Sequence, residues 1–145
     1  MKAKSALRYL PFVASAALVF AATSAFAQTV PNLVGTWKGK PEAVFVGPNP
    51  HRPSDGTVPG FGGEMELTFV FKQQQGTRFA GEFLGKFTET VIGTLRPPAF
   101  QSGIMLDNDG EYDFTLRDAT TMDVCYRHNN TSSKVVACWT MQKQP

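Results

Sequence analysis

Apolar and polar residues alternate with a period of two along most of the chain after residue 30. The clearest run is EMELTFVF at 64–71, in which Met65, Leu67, Phe69 and Phe71 alternate with Glu64, Glu66, Thr68 and Val70. Successive side chains of a strand point to opposite faces, so this run predicts a strand with one face in a core and the other mostly in water. The same alternation recurs in two more runs, RFAGEFLG with Phe79, Gly81 and Phe83 on one side, and EYDFTLRD with Tyr112, Phe114 and Leu116.

About eight short segments of this kind follow one another along the chain. The remaining ones are LVGTWKGK with AVFV, counted as one strand with a break, and then TETVIGTL, SGIMLD, TTMDVCYRH and SKVVACWTMQ. Hairpin-sized turns join most of them, such as Gln75–Gly76 and Asn108–Asp109–Gly110, whose glycine is expected at positive φ. The pattern predicts an all-β fold, an antiparallel up-and-down β-barrel of about eight strands, because closure removes both sheet edges. An outer-membrane barrel would need an apolar outward face, whereas here the second face carries Glu, Asp, Arg and Thr.

The N-terminus has the features of a secretory signal peptide. Basic residues, an apolar run and the sequence Ala25-Phe26-Ala27 predict a signal over residues 1–27 and a single β-barrel domain over 28–145. We therefore expect a periplasmic or secreted protein that is not inserted in a membrane after cleavage. The segment carries three basic and no acidic residues, so its removal turns the formal net charge of +2 slightly negative. Without a basic face, no nucleic-acid partner is expected.

Both cysteines lie in the last two predicted strands, within DVCYRHNNTSSKVVACW. A hairpin with Cys125 opposite Cys138 and a loop at 130–133 puts the apolar residues of both strands on one face and both cysteines on the other. Directly opposed cysteines are close enough for a disulfide, and an exported chain favours it. Free thiols, redox chemistry and metal binding are less favoured alternatives, because no C-x-x-C motif or close set of further ligands is present. His128 is interpreted as a solvated residue near the turn.

The first strand begins Leu33-Val34-Gly35-Thr36-Trp37. Gly-x-Trp at this point of a small exported barrel resembles the calycin superfamily, which includes lipocalins and avidins. The resemblance implies that the Trp closes one end of the barrel. The avidin site uses several Trp residues where this chain has only Trp37 and Trp139, so biotin binding is not implied, and the lipocalin Arg that stacks on the Trp has only Lys143 as a counterpart. The segment 93–112 also resembles small exported bacterial proteins, from which no function follows.

Candidate site residues fall into two groups. An aromatic interior predicts a ligand lining made of Trp37, Phe69, Phe71, Phe83, Tyr112, Phe114, Tyr126 and Trp139, although these rings could equally fill the barrel. The Pro- and Gly-rich stretch 47–63 is either a functional loop or an inert one, with His51, Arg52 and Phe61 as its contact residues. DNDGE at 107–111 matches part of a calcium loop, but a tight turn explains it better.

These features favour a binding protein over an enzyme. No catalytic constellation, cofactor motif or metal-ligand set is recognised in the sequence. The main hypothesis is a carrier for a small hydrophobic or aromatic molecule. The alternative is a protein-interaction module, such as an inhibitor of an envelope hydrolase, that contacts its partner through the loop 47–63.

Overall fold

The computed structural model describes residues 29–48, 56–63 and 65–145. The predicted signal segment 1–27 lies outside these ranges, as do His51 and Arg52. Among the residues described, no helix is long and apolar enough to cross a membrane. The strands within these ranges are β1 (Gly35–Gly39), β2 (Glu42–Val46), β3 (Gly60–Gly62), β4 (Leu67–Gln75), β5 (Arg78–Leu84), β6 (Thr88–Leu95), β7 (Ser102–Leu106), β8 (Glu111–Leu116), β9 (Thr121–Asn129) and β10 (Lys134–Lys143).

The strands form a closed antiparallel barrel, which confirms the predicted fold class. From β4 to β10 each strand pairs with the next one along the chain, and β1 closes the sheet by pairing with both β4 and β10. Two of the eight barrel strands are interrupted. β1 and β2 lie end to end along β10 in a single register, in which Gly39 faces Met141 and Glu42 faces Cys138. β3 pairs with β2 and precedes β4, so that β1–β2 and β3–β4 form one long hairpin.

Pro41 accounts for the interruption in the first barrel strand. It follows Lys40, and neither residue belongs to a strand. A proline has no N–H to donate to a neighbouring strand, so the ladder breaks at this point while the chain keeps its direction. The sequence prediction of one strand with a single break is therefore confirmed.

Both predicted hairpin turns are present, but their glycines have different roles. Gly76 has φ of +58° in the turn between β4 and β5, a conformation that L side chains rarely adopt. Gly110 ends the β7–β8 turn and is not among the residues at positive φ, so that expectation was wrong. A Cβ at Gly110 would instead lie 2.2 Å from Cε2 of Tyr126. Close approach of the Tyr126 ring is the reason that this position has no side chain.

The C-terminal hairpin has the predicted register, with Cys125 opposite Cys138 and Tyr126 opposite Ala137. The two cysteines form a disulfide with a Cα–Cα distance of 4.1 Å. The interpretation of His128 as a solvated residue was wrong, since its side chain is buried and lies in β9. Its Nδ1 is 2.7 Å from the carbonyl oxygen of Asp109, and its Nε2 is 2.8 Å from Oγ of Ser133. These bonds tie the β9–β10 turn to the β7–β8 turn.

Trp37 is completely buried at one end of the barrel, which we call the closed end. Its Nε1 donates a hydrogen bond of 2.9 Å to the carbonyl oxygen of Leu33, whose side chain is also buried. The N-terminal segment is fixed there by Gln74, whose Oε1 accepts from Leu33 N and whose Nε2 donates to Pro31 O. The ammonium group of Lys143 lies 5.6 Å from the centroid of a Trp37 ring. The first-strand Trp therefore has a cationic neighbour.

The outward face of the barrel carries ion pairs, including those made by Asp113 on β8. Asp113 accepts hydrogen bonds of 2.5 Å from both Arg127 and Arg96. These two guanidinium groups hold the pKa of the Asp113 carboxyl below its usual value. Because these groups are largely exposed, they contribute little to the free energy of folding, but they show which face of the strands meets water.

Candidate functional site

A cavity of about 60 Å³ lies inside the barrel at the end opposite Trp37, which we call the open end. The β5–β6, β7–β8 and β9–β10 turns surround this end. The cavity is partly open to solvent. Its wall consists of Pro41, Ala43, Met65, Leu67, Phe83, Asp107, Tyr112, Tyr126, Val135, Ala137 and Trp139.

The cavity exists because one inward row of side chains changes from large to small across the barrel. Tyr112 of β8 faces Tyr126 of β9, which faces Ala137 of β10, which in turn faces Ala43 of β2. Closely packed interiors leave few voids larger than a water molecule, so two adjacent alanines among aromatic rings leave unfilled space. Local side-chain size, rather than an overall hollow barrel, produces the cavity.

The predicted aromatic lining divides into two groups of four. Phe83, Tyr112, Tyr126 and Trp139 line the cavity. The other four, Trp37, Phe69, Phe71 and Phe114, are buried in the core and are not part of the cavity wall. The Phe69 ring packs between its neighbours, with centroids 5.7 Å from Phe71 and 5.4 Å from Phe83. Over the described residues, the part of the barrel interior that holds these four rings is packed, and the cavity lies at the other end.

Two tyrosine hydroxyls meet two carboxylates beside the cavity. Tyr112 donates a short hydrogen bond to Oδ2 of Asp107, and Tyr126 donates one of 2.8 Å to Oδ1 of Asp109. Burial raises the pKa of both tyrosines far above the ordinary value, and the nearby carboxylates raise it further. Both phenols therefore stay protonated at neutral pH and act as hydrogen-bond donors.

Carboxylate oxygens of Glu89, Asp107 and Asp109 lie within 4.8 Å of one another. Such oxygens are the ligands that a hard cation such as Ca²⁺ prefers. However, Asp107 Oδ1 already accepts hydrogen bonds from Asp109 N and Gly110 N, which stabilise the β7–β8 turn. These bonds show that the 107–111 segment forms a turn. The three carboxylates also place acidic side chains together at the open end.

Trp139 contributes a second polar group near the cavity. Its ring lines the cavity and lies 6.3 Å from the Tyr112 ring in an edge arrangement. The Nε1 atom is buried and has no hydrogen-bond partner among the described residues. A buried N–H without a partner is costly, and it is uncommon in packed regions away from a binding site.

Of the predicted loop contact residues, only Phe61 is among the residues described. It lies in the middle of β3 rather than in an irregular loop, and 84% of its surface is exposed. Phe61 faces Val44 on β2, which faces Val136 on β10, and all three are exposed. These residues form an apolar row across the outer surface, which we call the outer row.

Sequence reasoning missed several residues of the site. Ala43 and Ala137 are small residues at inward positions of neighbouring strands, and their alternation with buried neighbours was the available signal. Glu89 lies two residues before Val91 on the same inward face of β6, and a charged residue at an inward position was a signal in the sequence. Met65 and Leu67 were predicted to face the core, but the sequence does not indicate that they meet Pro41 and Val135 at the cavity, because barrel closure brings these residues together.

In comparisons with protein-family models, with curated proteins and with solved structures, no match to this chain was found. The cavity, the polar groups beside it and the outer row are therefore the features that indicate a function.

Proposed function

We propose that this protein is an exported binding barrel that holds a small, mostly apolar molecule, or the apolar end of one, at its open end. The observation that carries the proposal is the partly open cavity with one aliphatic wall and one aromatic wall. Binding sites for small molecules are typically concave, mostly apolar and provided with a few polar groups. Here Tyr112, Tyr126 and Asp107 are such groups.

The size of the cavity limits what it can hold. Drug-sized ligands need pockets of roughly 300–1,000 Å³, and one water occupies about 30 Å³ of liquid. A cavity of about 60 Å³ therefore takes a small group, while the rest of a larger ligand would lie in the mouth. Large lipid-like cargo of the kind that fills a hollow barrel is not favoured.

Export is part of the proposal and has support of its own. The N-terminal sequence has the order of a signal peptide, and the disulfide is typical of an oxidising compartment. The resemblance of Gly35-Thr36-Trp37 to calycins agrees with a small binding barrel, as does the position of Lys143 beside Trp37.

Filling the cavity should abolish binding. The methyl groups of Ala43 and Ala137 line it and can be observed by NMR with labelled alanine, with benzyl alcohol as the probe. In the unmodified protein we expect both methyl signals to shift until saturation. In Ala137→Leu the added atoms occupy the cavity, so the Ala43 signal should no longer respond, and the change should cost about 1–3 kcal/mol of stability.

The matched control is Ala119→Leu, the same change at an exposed turn on the opposite end of the barrel. It should keep the response of both methyl groups. If Ala137→Leu fails to fold, Ala43→Val provides a smaller increase in volume at the facing position, with the Ala137 methyl signal as the readout. An equal response in the cavity variants and the control would contradict the proposal.

A second candidate is a protein-interaction module, because the outer row exposes Phe61, Val44 and Val136 together. Contiguous apolar surface on a small protein often marks a contact site. An envelope protein such as a hydrolase would then be the partner, in agreement with the alternative drawn from the sequence.

Phe61→Ser should distinguish this candidate from the first. If the outer row binds a partner, cross-linked complexes in an envelope extract should decrease by at least about fivefold, since truncation of a large aromatic contact commonly costs more than 1 kcal/mol. Phe87→Ser, the same change at an exposed position between β5 and β6, serves as the control. Unchanged complex formation in Phe61→Ser would exclude the outer row as the contact surface.

A further inference from the structure

We infer that the cavity selects ligands whose buried end is a small alkylated ammonium group. The inference rests on the proposed function and concerns the same cavity. It follows from the combination of one charged side chain, several aromatic rings and a small volume.

The charge at the cavity is negative. Among the described residues of its wall, Asp107 is the only one that is charged at neutral pH. Asp109 lies next to it, with a carboxylate oxygen within 4.8 Å of one on Asp107. Tyr112 donates a hydrogen bond to Asp107 and Tyr126 donates one to Asp109, so both carboxylates are held beside the cavity. A carboxylate or phosphate ligand would be repelled here, whereas a cation would be attracted.

The aromatic wall favours an alkylated ammonium over other cations. Phe83, Tyr112, Tyr126 and Trp139 line the cavity together. Aromatic rings attract cations through the negative faces of their π-systems, and groups of them with a carboxylate suit methylated ammonium groups. The aliphatic wall of Ala43, Ala137 and Val135 provides contacts for the alkyl substituents. A small, strongly hydrated metal ion would gain nothing from these surfaces.

The small volume of the cavity and its opening to solvent suit the ammonium end of a larger ligand. At about 60 Å³ the cavity takes up only part of a methylated ammonium, and the rest of it would lie among the rings at the mouth. Asp107 belongs to the β7–β8 turn at this end, so its charge is near the mouth and not deep in the core.

A pair of probes of nearly equal shape isolates the contribution of the charge. Choline carries a trimethylammonium group, and 3,3-dimethyl-1-butanol has the same shape with a neutral carbon in place of nitrogen. Both are titrated at constant ionic strength against the full chain, with the Ala43 and Ala137 methyl signals as the readout. We expect choline to bind about tenfold more tightly than the neutral probe.

Asp107→Asn tests the role of the carboxylate. Asparagine keeps an oxygen that can accept from Asp109 N and Gly110 N, so the turn is retained while the charge is removed. The preference for choline over the neutral probe should fall by about fivefold or more, whatever the variant does to binding of both probes together. Asp118→Asn, the same change in an exposed turn at the other end, should alter neither.

The outcomes separate the inference from the proposed function. Equal affinity for the two probes, or no effect of Asp107→Asn, would overturn the inference and leave the cavity as a binding site for neutral molecules. If neither probe shifts the methyl signals, the inference is also overturned, and the benzyl alcohol titration then decides independently whether the cavity binds at all.

Discussion

Replacing Trp37 by alanine is expected to lower the free energy of unfolding by about 4 kcal/mol, within the range of 3–5 kcal/mol for large buried aromatic residues. The Trp37 side chain has no solvent exposure, and its Nε1 donates to Leu33 O. The substitution removes the ring contacts and leaves that carbonyl without its partner. Urea denaturation followed by Trp139 fluorescence measures the loss.

Trp37→Phe is the control for this prediction. It keeps an aromatic ring in the core but removes the indole N–H, so it should cost less than half as much. Because small domains have only about 5–15 kcal/mol of total stability, the alanine variant should unfold at much lower urea concentration. A loss below about 1.5 kcal/mol would contradict the role of Trp37 in closing the barrel end.

Removing the disulfide is expected to cost about 3 kcal/mol, because it closes a short loop between residues 13 apart in sequence. Cys125 and Cys138 are exposed on the outward face, so Cys125→Ala with Cys138→Ala leaves no cavity in the core. The stabilisation lost is then that of the covalent link. Chemical denaturation of the double variant, compared with the unmodified protein, measures it.

Reductant provides the control for the disulfide prediction. Reduction should destabilise the unmodified protein by a similar amount and have no effect on the double variant. Intact mass spectrometry should show a mass lower by two hydrogens and no alkylation before reduction. Alkylation without reductant would show that the disulfide is absent. A stability that does not change on reduction would show that the disulfide contributes nothing to it.

Most of the strands could be predicted from the sequence because buried and more exposed side chains alternate along them. Thr88–Leu95 and Ser102–Leu106 coincide with predicted segments. The register of the β9–β10 hairpin was also predictable, since the opposed cysteines and the apolar residues on the other face agree on a single alignment. Local pattern and turn chemistry were sufficient for these features.

The candidate site could be predicted only in part. Phe83 and Trp139 line the cavity, while Phe69 and Phe71 have the same inward alternation but lie in the packed core. Alternation indicates which face a side chain belongs to, but not how much volume its neighbours occupy across the barrel. The cavity exists because Ala137 faces Ala43, on strands that become neighbours only when the barrel closes.

His128 shows a similar limit. Its position beside a loop rich in Asn and Ser is typical of a solvated residue, yet it is buried between two turns. Asp109 O and Ser133 Oγ satisfy its ring nitrogens, and Asp109 is 19 residues away in the chain. A polar residue can be buried when distant groups provide its hydrogen bonds, and the local sequence does not indicate those groups.

Native mass spectrometry of the protein isolated from its own host, beside the Ala137→Leu variant prepared in the same way, tests the central claim most directly. Our account predicts a reproducible small additional mass on the unmodified protein, released on denaturation, and its absence from the variant. A bare chain in both preparations, or the same additional mass on both, would contradict a ligand-binding cavity at the open end of the barrel.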